Sequence, residues 1–325
     1  MLLKKFKKFK RAVYKLLSTI YDKPLDPPTN KEKDLLGELR AAYHEFPSLK
    51  RTDCPPSEKN WLENANRLRE LVLNDDPREF LRWDVILKTM VATYASYIGP
   101  ELKYLKSLPD WSNRWTEAIK ESSVGHPVPH WRYPDSSATL IHHAYHWAQF
   151  EEKTAIRAHD IKCVLEFGGG YGSMCRLLHN LGFAGKYVLF DLPAFSALQK
   201  FFLKSIGITV LPIDAFEMAR SGVLCISDLE KLKAVLSGHI EVSNSLFIAT
   251  WSISEVPISL RNAILPPISP FKGFLIAYQS QFREVNNIDF FRNWRETQKD
   301  SEWHDWRIEH IPNHNRYLVG KRKTN

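Results

Sequence analysis

The sequence predicts a doubly wound α/β sheet, closed by a terminal antiparallel hairpin and preceded by a helical N-terminal region. Three observations carry that expectation. Up to about residue 159, apolar residues recur at helical spacing, as in KDLLGELRAAYHEF and NWLENANRLRELVL. From residue 160 onward, short apolar runs alternate with helical stretches. Early in that second part stands VLEFGGGYGSMCRLL (164–178): an apolar strand ending in an acid, a glycine turn and a helix start.

The elements follow in chain order. Residues 1–21 place Leu2, Leu3, Phe6, Phe9, Val13, Leu17 and Ile20 at steps of three and four, with lysines and Arg11 on the other face. That is a basic amphipathic helix, suited either to an anionic membrane surface or to packing its stripe on the protein. Lysines interrupt every candidate apolar core, which argues against a secretory signal. DKPLDPPTN (22–30) reads as a linker, and 31–159 as a helical region punctuated by Pro55, Pro56 and Pro77. VGHPVPHWRYPD (124–135) reads as a loop, and SSATLIHHAYHWAQFEEKTAIRAHD as a serine-capped helix.

Residues 160–325 form the second domain. CVLEF, KYVLFD, ITVLP, SLFIATW and GFLIAYQ read as five successive strands. SMCRLLHNLG, PAFSALQKFFLKSIG and SDLEKLKAVLSG read as helices between them, the second opening on a proline at its first turn. RIEHI and RYLVGKR read as the closing hairpin.

Composition narrows the function classes. The 325 residues are 44% hydrophobic and 25% charged, ordinary for a globular protein with a real core. No run approaches the roughly 20 uncharged apolar residues of a membrane-spanning helix. Cys54, Cys163, Cys175 and Cys225 show no CxxC spacing, which argues against structural zinc and a disulfide framework and for a reducing cytoplasm. Residues 1–21 hold +7 of the net charge of +8, so the body is nearly neutral and a general nucleic-acid-binding face is not expected.

What the glycine turn holds is read from its neighbours. A phosphate-cradling Walker loop needs a GK[ST] ending, which is absent. A dinucleotide fingerprint starting at Gly168 finds Gly170 and then Ser173 in place of the third glycine. Asp191 ends the second strand, 19 residues beyond Gly172, placed to accept hydrogen bonds from a ribose diol in either kind of nucleoside site. The remaining pattern is Glu166, Gly168, Gly170, Gly172, which resembles motif I of the class I S-adenosylmethionine-dependent methyltransferases. There, glycines let the backbone pass close beneath a methionine tail, and the acid orients its ammonium.

The resemblance extends further. VLEFGGGYGSMCRLL, YVLFDLPAFSALQKFFL and ATWSISEVPISLR, with YHWAQFEE upstream and the closing NRYLVGKR, resemble the bacterial sugar O-methyltransferases found with surface-polysaccharide genes. The likeness spans roughly residues 130–322 and implies a cytoplasmic enzyme that methylates a sugar hydroxyl, nucleotide-linked or on a growing glycan. S-Adenosylmethionine is then the expected cofactor, held by Glu166, Gly168, Gly170, Gly172 and Asp191, with Trp251 alongside. Asp214 is either an adenine contact or a simple turn aspartate. On the acceptor side, Glu255 reads either as a base or sugar partner or as a helix-entry acid, with His304 and His314 as rival bases. Trp131, Tyr133, Tyr145, Trp147 and Trp251 are aromatics that could stack on a sugar. His142 and His146 share a helix face, but no third metal ligand is evident. Two other classes stay open: a nicotinamide-dependent sugar oxidoreductase, which would want the third glycine and a YxxxK pair, and a non-catalytic methyltransferase-like subunit.

Overall fold

The computed structural model describes residues 13, 16–17, 19–46, 56–93, 95–238, 240–283, 285–312 and 314–323, so most of the expected basic helix over 1–21 lies outside the described residues. The linker is not a free tether. Asp22 pairs with the Arg82 guanidinium at 2.5 and 2.8 Å, and the Asp26 carbonyl accepts from Arg78 at 2.7 Å. Helix α1 (Asn30–Glu45) then opens on a reciprocal cap: the Thr29 hydroxyl accepts the Glu32 N–H, and the Glu32 carboxylate accepts the Thr29 N–H.

Helices α2 (Pro56–Asn74), α3 (Asp84–Thr89), α4 (Ile98–Lys106) and α5 (Ala138–Thr154) complete the N-terminal region. The expected serine cap of α5 is Ser137, whose hydroxyl accepts the Leu140 N–H at 3.2 Å. The expected loop over 124–135 carries a small hairpin, Pro129–His130 against Tyr133–Ser137.

Seven strands form the main sheet: β1 (Cys163–Phe167), β2 (Lys186–Phe190), β3 (Gly222–Ile226), β4 (Ser245–Thr250), β5 (Gly273–Gln279), β6 (Ser301–Arg307) and β7 (Asn315–Arg322). Between them run α6 (Ser173–Asn180), α7 (Pro193–Ser205), α8 (Ile213–Met218), α9 (Leu229–Gly238), α10 (Ile258–Ile268) and α11 (Asn287–Thr297). The spatial order is β3-β2-β1-β4-β5-β7-β6, with β7 antiparallel to both neighbours. That order and that single reversal are the Rossmann-like methyltransferase fold.

Two strands differ from the expectation. ITVLP is not the third strand: Val210 makes one parallel bridge to Val223, beside the true strand GVLCI, which is buried along its whole length. The Leu211 N–H still bonds the Val223 carbonyl at 2.8 Å, but Pro212 comes next and lacks the N–H to continue a ladder. The hairpin likewise pairs SEWHDWR, rather than RIEHI, with the last strand.

Side chains alternate across the sheet. Val164, Leu189 and Ile248 face α5, α6 and α7, while Leu165, Val188 and Phe247 face α9, α10 and α11. The first of these two cores continues without a break into Leu35, Leu68, Phe80 and Leu102. The N-terminal helices therefore share a core with the sheet. Phe80 meets Tyr171 edge-on at 5.7 Å and Phe202 at 6.0 Å, joining the two parts directly.

Candidate functional site

The chain winds from β1 to β2 and β3 on one side, then returns to β4 on the other, and ligands bind at such a switch point beyond the strands' carboxyl ends. A cavity of about 860 Å³ lies there. Gly168–Tyr171, Asp191 and Ser227 line it beyond β1, β2 and β3, and Trp251 and Glu255 line it beyond β4. Trp61 of α2, the segment Met90–Ala92, Tyr97, and His142 and His143 of α5 close it from the N-terminal side.

The glycine turn is fixed by its contacts. Gly168 has φ 68° and Gly170 φ 58°, a left-handed backbone that residues with side chains rarely adopt. The Gly168 N–H donates to the Phe190 carbonyl at 2.8 Å, and Ser252 packs against the Gly168 Cα while its hydroxyl donates to the Phe167 carbonyl. The sequence pattern passed over Gly169, yet a Cβ there would strike Leu189 and come within 3.0 Å of the Glu166 carboxyl carbon. Gly172 does not line the cavity. Its φ of 99° serves the cap of α6.

Glu166 is 3% exposed and accepts the Tyr187 hydroxyl at 2.7 Å; burial pushes its carboxyl up to about 7. Asp191 is partly buried at the cavity wall. It accepts the Leu192 N–H at 2.8 Å and the Gln199 amide at 2.9 Å, and the same Gln199 nitrogen donates to the Gly170 carbonyl at 3.0 Å. Withdrawal from water pushes Asp191 up to about 7 as well, against those donors. Among the described residues, no cationic side chain pairs with either acid.

Glu255 accepts from Gln279 at 3.1 Å and from the Trp61 side chain, and burial raises its carboxyl. Trp61 in turn meets Phe195 edge-on at 5.9 Å. Trp251 holds a left-handed backbone at φ 65°, with its N–H on the Ala277 carbonyl at 2.6 Å and its indole N–H on Asn315 at 2.6 Å. Strain of that kind persists only where the surroundings over-determine it. Here the indole also stacks on His142 at 5.5 Å.

His142 and His146 are spent on a buried chain. Glu101, fully buried, accepts from His142 Nδ1 and His310 Nε2, each at 2.9 Å. Burial would raise Glu101, but the two imidazoles outweigh it and hold the carboxyl below its usual range. His142 Nε2 meets His146 Nε2 at 3.0 Å, and His146 Nδ1 meets the Tyr317 hydroxyl.

Three sequence candidates fall outside the cavity. His304 sits on β6, the outer strand, beside Glu302. His314 is exposed, and it is Asn315, the next residue, that reaches the cavity. Asp214 lies in the exposed first turn of α8; because GVLCI is the third strand, Ser227 takes the position beyond it. Of the five aromatics, only Trp251 lines the cavity. Trp147 is fully buried, Tyr133 packs on Trp111 and Tyr145 on Tyr104. Trp61, Tyr97 and Phe195 supply the aromatic walls instead.

The two raised carboxyls make a pH prediction. Each has a folded value of about 7, against ordinary values of 3.8 and 4.5, so the folded protein binds more protons between those limits. The penalty is absent below about pH 4, grows as pH rises, and is complete above pH 7. Urea unfolding between pH 5 and 8 should therefore show a loss of stability that Asp191→Asn reduces. An identical profile in the variant would contradict the burial argument.

No family model and no curated protein matches the sequence. Among solved structures, the chain is similar to a precorrin-6y C5,15-methyltransferase from Geobacter metallireducens, at 11% identity over 55% of this chain and 87% of that one, with a TM-score of 0.36. It is also similar to a magnesium protoporphyrin IX methyltransferase from Synechocystis with bound SAH, at 11% identity over 56% and 83%, with a TM-score of 0.38. A glycopeptide N-methyltransferase complexed with S-adenosyl-L-methionine matches at 10% identity over 55% and 87%, with a TM-score of 0.37. Likenesses this distant carry none of those proteins' chemistry to this chain, whose fold class rests on its own strand order.

Proposed function

We propose that this chain is an S-adenosylmethionine-dependent O-methyltransferase acting on a sugar hydroxyl in bacterial surface-polysaccharide biosynthesis. The observation that supports it most is the pair of acids, Glu166 and Asp191, that flank a left-handed glycine turn with, among the described residues, no cation paired to either. The cofactor brings what they lack: an ammonium for Glu166 and a ribose diol for Asp191. At Gly170 the nearest atoms a Cβ would meet are those of Met90, at 3.7 Å, an ordinary contact, so the turn lies close to the Met90–Ala92 wall of the cavity. A nicotinamide dinucleotide fits this wall less well, because its pyrophosphate would face four acids and, among the described lining residues, Lys88 alone.

Bound S-adenosylmethionine would supply an electrophilic methyl group. The chain's part is to hold the acceptor and remove its proton. Glu255 is assigned as the base, because burial raises its carboxyl and Gln279 and Trp61 fix its orientation. Trp61, Tyr97 and Trp251 keep water out and offer flat faces to a sugar ring. The sequence resemblance supports a sugar acceptor, nucleotide- or lipid-linked. Residues 1–21 are assigned to the anionic inner face of the cytoplasmic membrane; Leu16 and Ile20 in that segment are each 69% exposed. Among the described residues, no helix is long and apolar enough to cross a membrane.

Calorimetric titration should show binding of S-adenosylmethionine and S-adenosylhomocysteine and none of NAD. Asp191→Ala should weaken it by about 1.5–3 kcal/mol, the worth of hydrogen bonds to a charged group. Preferential NAD binding would replace this reading with the oxidoreductase. With a competent acceptor, Glu255→Gln should lower kcat while cofactor affinity holds; full turnover in that variant would remove Glu255 as the base. The full chain should pellet with anionic vesicles in a salt-sensitive manner, and a chain starting at Asp22 should not. Equal pelleting of both forms would exclude the membrane role.

A further inference from the structure

We infer that His143 receives the carboxylate of the cofactor's amino-acid tail, an inference that rests on the S-adenosylmethionine reading above. The argument begins with the faces of α5. His142 and His146 turn toward the carboxyl ends of the sheet, where His142 stacks on Trp251 and His146 meets Tyr317 of β7, while the Thr139 hydroxyl oxygen accepts the Ala92 N–H at 3.0 Å from the N-terminal wall of the cavity. Leu140 and Ala144 are buried in the same core as Leu177 and Leu178 of α6, the helix against which α5 packs. Residue 143 stands one helical step, about 100°, from His142 and from Ala144. It therefore faces the boundary between sheet and α6, which is where the glycine turn joins β1 to α6. His143 and Gly168–Tyr171 line the same cavity.

The chemistry of the ring agrees with that placement. His143 Nδ1 is withdrawn from water and has no hydrogen-bond partner among the described residues. Leaving a polar atom so is unfavourable, and a ligand group that bonded it would recover that cost. Burial first, and then His142, hold the ring neutral with a value of about 3, so it offers one N–H to an acceptor at neutral pH. Three other lining side chains are committed elsewhere. His142 bonds Glu101 and His146, the Trp61 side chain bonds Glu255, and the Trp251 indole bonds Asn315. A zwitterionic tail then lies between opposite partners, its ammonium toward Glu166 and its carboxylate toward His143.

The test compares S-adenosylhomocysteine with 5′-methylthioadenosine, which keeps the nucleoside and lacks both charged groups of the tail. His143→Leu should weaken the first about ten- to a hundredfold and leave the second within about twofold. His143→Asn should restore part of the loss, because its amide nitrogen sits where Nδ1 does. Equal losses for both ligands, or no loss for either, would overturn the assignment. The two readings fail differently. A wild-type protein that binds neither ligand overturns the cofactor reading itself. One that binds both, and is weakened by Asp191→Ala but not by His143→Leu, overturns only the role of His143.

Discussion

Glu166 and Asp191 are carboxyl groups that the fold withdraws from water, and among the described residues no cation pairs with either. Removing a carboxylate from water is costly unless it is paired. Here the partners are neutral: a tyrosine hydroxyl for Glu166, a backbone N–H and the Gln199 amide for Asp191. Gln199 also holds the Gly170 carbonyl, so one side chain fixes both the acid and the turn beside it. The left-handed glycines, the packing of Leu189 under Gly169 and the cap of α6 all serve to keep that turn between the two acids.

A third buried acid, outside the cavity's lining, shows the contrast. Glu101 is as deeply buried as Glu166, but two imidazoles meet it and hold its carboxyl down rather than up. That pairing ties α4 to α5 and to the segment before β7, and it sets His142 beneath Trp251. Glu101 is thus satisfied within the protein and works as structure. Glu166 and Asp191 have only neutral donors among the described residues, and burial raises both. The N-terminal helices belong to this arrangement, because Trp61 reaches Glu255 across the cavity and their apolar side chains continue the sheet's own core.

Most of the sheet and the glycine-turn wall of the cavity were legible because their signals are local. An acid, a glycine turn and a helix start are contiguous, and Asp191 follows at the end of the next apolar run. The opposite wall is assembled from distant segments, and no spacing announces that Trp61 meets Glu255 or that Tyr97 lines the same cavity. His304 and His314 were plausible by chain position, but strand alternation and hairpin register turn them away. GVLCI was missed in favour of ITVLP because both are short apolar runs. Burial separates them, and burial is a property of the assembled sheet. Tyr187 and Gln199 carried no motif at all; their roles follow from strand pairing and from a turn of α7.

The most direct measurement of the central claim is the proton balance of ligand binding. A diol on Asp191 and an ammonium near Glu166 both favour the charged carboxylates, so binding should expel the protons that burial retains. Calorimetry of S-adenosylhomocysteine in buffers of different ionisation enthalpy should show net proton release at pH 6. That release should vanish by pH 9 and diminish in Asp191→Asn. Binding at pH 6 with no proton release, or with net uptake, would contradict the account.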